Sequence, residues 1–89
     1  MASYLVERYL PSMGVSEIEA AVGRLALEEG SGASDARHLW TTFIAVEETC
    51  LSMFEAASAD AVVLANRQAD FPFDRVVEAS LFLGAILDS

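Results

Sequence analysis

Ile18, Ala21, Val22, Leu25 and Ala26 recur at the i, i+3, i+4, i+7, i+8 spacing of a single helix face. Ser16 followed by Glu19 has the form of a capping box, and Gly30-Ser31-Gly32 supplies a stop, so a first helix is predicted over about Glu17–Glu29. Before it, Ser3–Leu10 is rich in strand formers until Pro11, Ser12 and Gly14 break the run. After it, Trp40, Thr41, Thr42, Phe43, Ile44 and Val46 carry the β-branched and aromatic bias of a strand over about Arg37–Val46, and Thr49–Glu55 follows as another. Glu47-Glu48 marks the hairpin tip. Neither residue is the asparagine or glycine of a tight primed turn, which points to a loop longer than two residues.

Ser58 is placed to cap a second helix, about Ala59–Ala69, with Asp60 in its first turn complementing the helix dipole, and Phe71-Pro72 ends it. Arg75–Leu83 then alternates. Val77, Ala79, Leu81 and Leu83 are assigned to the helix-covered side and Val76, Glu78, Ser80 and Phe82 to the other. The order β-α-β-β-α-β closes with right-handed crossovers as an α+β ferredoxin-like sandwich: a four-stranded antiparallel sheet, first and last strands adjacent, both helices on one face.

Eighty-nine residues fit one domain, 1–89. A chain this short buries a thin core, yet 54% of its residues are apolar, above the usual share of roughly 45–50%. The surplus is assigned to the bare sheet face, and a homodimer is expected. Fourteen acidic residues against five arginines give a formal charge of −9, which repels nucleic acid and anionic membranes and mildly favours cations. No signal-peptide pattern opens the chain, and Val76–Leu87 is too short and too interrupted to span a bilayer. The lone Cys50 fits a cytoplasmic setting and reads as a small apolar strand residue.

Tyr4-Leu5-Val6-Glu7-Arg8, Trp40 with Thr42-Phe43-Ile44, and Phe71-Pro72-Phe73-Asp74-Arg75-Val76-Val77-Glu78 together resemble a family of small bacterial proteins described as nickel-binding-protein-like, domain of unknown function 4242. The resemblance implies a dimeric ferredoxin-like protein of a kind that includes nickel binders, with no reaction established for the group. Where that family often carries a histidine in the second helix this chain has Ala65, and where it has a glycine before Phe-Pro this chain has Asp70. Nickel or another divalent metal would therefore need other ligands here.

Glu7 and Glu78 interrupt apolar strands and, if they share the bare face, could hold a divalent metal with His38; pairing with Arg8 or Arg75 is the plainer alternative. Which face Glu7 takes stays open, because Tyr4 and Val6 beneath the helices put it outward and the opposite choice buries it. His38 and Trp40, two apart, are expected on one strand face as the lining of a ligand pocket. There is no metal-binding HxH, HxxxH or CxxC spacing, no G-x-S-x-G, and Gly30-Ser31-Gly32 follows a helix where a phosphate loop would precede one.

The leading expectation is a small dimeric binding protein, holding a divalent metal or small ligand at Glu7, Glu78, His38 and Trp40 without turnover. The alternatives are a cofactor-free monooxygenase or isomerase of the dimeric α+β barrel type, which a pocket of several hundred cubic ångströms lined by His38 would favour, and a protein-interaction module.

Overall fold

The computed structural model describes residues 1–32, 34–82 and 84, with β1 (Ala2–Tyr9), α1 (Val15–Ser31), β2 (Arg37–Ile44), a short 3-10 turn (Ala45–Glu47), β3 (Thr49–Ala56), α2 (Ala59–Gln68) and β4 (Arg75–Ala79). The sheet is antiparallel throughout in the order β2-β3-β1-β4. This is the ferredoxin-like arrangement predicted from the element order.

Local chemistry moves some boundaries. Helix α1 starts two residues early because extended Gly14 is its N-cap, and the Gly14 amide donates to Glu17 Oε1 at 2.9 Å, so Glu17 and not Glu19 closes the cap. Gly32, at φ 74°, ends the helix. The β2–β3 connection exceeds two residues as expected, with Glu48 left-handed at φ 54° and its carbonyl accepting from the Leu10 amide at 2.8 Å. Ser58 caps α2 by accepting from the Ala61 amide at 3.2 Å. Asp70 is also left-handed, at φ 53°, a conformation that aspartate tolerates better than most side chains. Strand β4 stops at Ala79 because its last partner on β1 is Ser3, and β1 itself begins at Ala2. Of the residues assigned to that strand, Leu83 lies outside the described residues.

Tyr4, Val6, Phe54, Ile18, Leu25, Val62 and Phe71 form the core between the sheet and the helices. Directly opposed residues of an antiparallel pair share a face, so the register also defines the outer face. Trp40, Met53, Leu5 and Val77 form one apolar row across all four strands. An ion pair borders the row on each side: Glu7 with Arg75 at 2.8 Å and Arg37 with Glu55 at 3.7 Å.

Candidate functional site

Strand alternation that puts Tyr4 and Val6 under the helices must also put Arg8 there. Arg8 is 1% exposed, and the surrounding chain is built to receive it. Its Nη2 donates to Ser52 Oγ at 2.9 Å and Asn66 Oδ1 at 2.7 Å, and its Nη1 donates to the carbonyls of Phe71 at 3.3 Å and Pro72 at 3.1 Å. The guanidinium carbon lies 3.5 Å over the Phe71 ring, a cation–π contact that a desolvated site strengthens. Asn66 is oriented by its own Nδ2, which donates to the Val62 carbonyl at 2.8 Å.

Among the described residues no carboxylate pairs with Arg8, and its Nε has no partner. Burial pulls the pKa of Arg8 down from the ordinary arginine value to about 10, with Cys50 opposing the shift. Burial likewise pushes the Cys50 thiol up, against the pull of Arg8, which leaves it a protonated, inert core group.

The polar chain continues into β2. Thr41 Oγ1 lies 2.8 Å from Ser52 Oγ and 2.6 Å from His38 Nε2. Its proton order follows from the donor inventory. Arginine can only donate, so Ser52 accepts from Arg8; fully buried Ser52 then has Thr41 as the acceptor for its own hydrogen. The order that leaves every hydrogen bonded has Thr41 donating to Nε2 of a neutral His38 whose ring proton sits on Nδ1. Burial keeps the His38 pKa below 6.5, with the nearby Arg8 charge acting in the same direction and the Trp40 backbone and Glu29 acting against it.

A depressed histidine pKa means that the unfolded chain takes up the proton first, so stability is full above pH 6.5 and declines as pH falls toward the folded-state value. Chemical denaturation from pH 6.5 down to about pH 5, where carboxylates remain mostly ionised, is expected to show this loss. His38→Gln should flatten it, and an unchanged slope would contradict the neutral-histidine assignment.

Beside Thr41 a cleft of about 550 Å³ opens between helix α1 and edge strand β2, lined by Val15, Ile18, Glu19, Val22, Gly23, Thr41 and Phe43. The α1 residues form one stripe at helical spacing, and Thr41 and Phe43 are inward-facing positions of β2, opposite Ser52 and Cys50. Gly23 lies in mid-helix, where glycine costs about 0.5–1 kcal/mol relative to alanine. A Cβ placed there meets nothing within 4 Å. The fold itself does not require the gap that Gly23 leaves. Other hollows lie around the 70–74 loop, one of about 570 Å³ beside Asn66, Arg67 and Phe71 and one of about 210 Å³ beside Glu7 and Asp74. The α1/β2 cleft has the composition typical of small-molecule sites, apolar walls with a few polar groups.

The residues singled out from the sequence do not converge. Glu7 lies on the outer face, bonded to Arg75, while Glu78 is opposite Tyr4 on the inner side, exposed at the sheet edge. The face assignment of the last strand is thus reversed: Val76 pairs with Val6 and packs on the core, and Val77 pairs with Leu5 outside. With valine at both positions, pairing with β1 decides the orientation. His38 and Trp40 also separate, because the register shifts between them and a bulge at Leu39 turns His38 toward Phe54 and Trp40 toward Met53. His38 stands one hydroxyl behind the cleft and does not line it. Among the described residues no three His, Cys, Asp or Glu side chains gather as metal ligands, and no helix is long and apolar enough to cross a membrane.

Arg8, Thr41, Ser52, Asn66 and Gly23 were not evident as site residues. The available signals were an arginine in step with Tyr4 and Val6 and a glycine inside a helical pattern.

The fold and site are those of a small ferredoxin-like α+β protein with a polar chain buried beneath the sheet and a cleft at its edge. No protein-family model and no curated protein matches the chain. Among solved structures it is similar to SCO4226 from Streptomyces coelicolor A3(2), at TM-score 0.77 and 18% identity, over 92% of this chain and 100% of that one. At that identity the likeness establishes the fold.

Proposed function

We propose that this chain is a dimeric, non-catalytic small-ligand-binding protein of the nickel-binding-protein-like family, and that it uses the cleft between α1 and β2 in place of a metal centre. The observation that carries the reading is the cleft itself: about 550 Å³, walled by Val15, Ile18, Val22 and Phe43, with Thr41 as a polar contact held by Ser52 and His38. Small-molecule sites commonly occupy roughly 300–1,000 Å³ and combine such walls with few, fixed polar groups. Gly23 supports the same reading, since it gives up helix stability to keep one wall open. The dimer is assigned to the outer face, where the Trp40–Met53–Leu5–Val77 row and its flanking ion pairs have the apolar centre and polar rim of an interface.

Gly23→Leu tests the cleft. The new side chain enters open space and improves helix propensity, so the variant is expected to be about 0.5–1 kcal/mol more stable than the parent. Small amphiphiles that raise the Tm of the parent should leave that of the variant unmoved. Equal ligand-induced shifts in both proteins would place binding elsewhere.

A further inference from the structure

We infer that the cleft takes an amphiphile with an apolar body and a hydrogen-bond-donating, cationic head: an alkyl or aryl amine in its protonated form. This rests on the cleft being the binding site and specifies what it selects.

The head-group chemistry follows from protons already placed. Arg8 donates to Ser52, and the order that leaves every hydrogen of the chain bonded has Ser52 donating to Thr41 and Thr41 to His38. Thr41 has therefore spent its only hydrogen and one lone pair within the protein. What remains on Oγ1 is a second lone pair, an acceptor. A ligand group that meets Thr41 must donate, and a carboxylate or an ether has nothing to offer there.

Charge adds to this selection. Glu19 lies on the same cleft, exposed, and the chain carries a formal charge of −9, so the field around the opening gathers cations and repels anions. Of the five arginines, none lines the cleft. The body of the ligand is set by Val15, Ile18, Val22 and Phe43, and the gap above Gly23 gives it room that no side chain among the described residues uses.

Octylamine, octanol and octanoate share one hydrocarbon body and differ in the head, and their affinities can be compared by calorimetry on the full chain. The amine gains both a hydrogen bond to Thr41 and a partly exposed ion pair with Glu19, each a modest contribution. Octylamine is accordingly expected to bind about tenfold tighter than octanoate, with octanol between them. Glu19→Gln, a change at an exposed position, should narrow the amine-to-carboxylate ratio several-fold while octanol stays ahead of octanoate. Gly23→Leu should abolish binding of all three. Octanoate equal to or tighter than octylamine overturns the inference and leaves the cleft in place. Binding that survives Gly23→Leu, or no binding by any of the three, overturns the cleft assignment and the inference with it.

Discussion

Arg8→Met is expected to lower the stability of the protein by about 2–4 kcal/mol, a drop in Tm of roughly 10–25 °C for a domain of this size. Two large effects oppose each other at this position. Burial holds the Arg8 pKa down at about 10, the mark of a charge-desolvation penalty that methionine relieves. Methionine also leaves Asn66 Oδ1 and the Phe71 carbonyl without their donor in the interior and removes one of the two partners of Ser52. A stranded buried acceptor costs about 1–3 kcal/mol, and together these exceed the relief. Lost stacking on Phe71 adds to the deficit. Arg8→Lys should be no better than Arg8→Met, since ammonium keeps the buried charge but cannot reproduce the planar fork to Ser52 and Asn66. Thermal unfolding followed by circular dichroism reads both variants. A methionine variant as stable as the parent would mean that desolvation outweighs the hydrogen bonds, so that the arginine is retained at a net cost to folding.

Leu5→Arg is expected to convert the proposed dimer of about 19 kDa, twice the 9.6 kDa chain mass, into a monomer. Leu5 sits on central strand β1 between Met53 and Val77, in the middle of the apolar row. Two-fold symmetry would bring the substitution into the interface twice, placing two like charges in a desolvated centre. Each uncompensated charge costs several kcal/mol, so the dissociation constant should rise at least a hundredfold. Because Leu5 faces away from the helices, the monomer should keep its fold. Sedimentation velocity across a concentration series distinguishes the outcomes. A parent that stays monomeric at all concentrations would contradict the interface, and a variant that stays dimeric would place it on another surface.

The element order was readable because each element carries its own periodicity and its own stop signal, as in the Ile18-to-Ala26 helix face and the Ser58 cap. Side-chain orientation was less readable, and the site depends on it. In β4 adjacent valines made the alternation symmetrical, so register against Val6 decided which one faced the core. In β2 a single extra residue at Leu39 reversed the relation between His38 and Trp40. A bulge has no compositional signature as plain as a turn's, and one is enough to separate a pair of residues that spacing alone would join. The buried arginine was accessible by a different route. Once Glu7 is placed outward, Arg8 must go inward, and an unpaired inward arginine requires a polar lining. Thr41, Ser52 and Asn66 provide it from three different elements, separated from Arg8 by 33 to 58 positions. No spacing rule connects residues that far apart.

The most direct test of the cleft is the set of intermolecular nuclear Overhauser contacts made by octylamine bound to the isotopically labelled protein. Contacts are predicted to the methyl groups of Val15, Ile18 and Val22 and to the Phe43 ring, all of which line the cleft. Contacts confined to Leu5, Met53 and Val77 on the outer face, or to the 70–74 loop, would contradict the assignment.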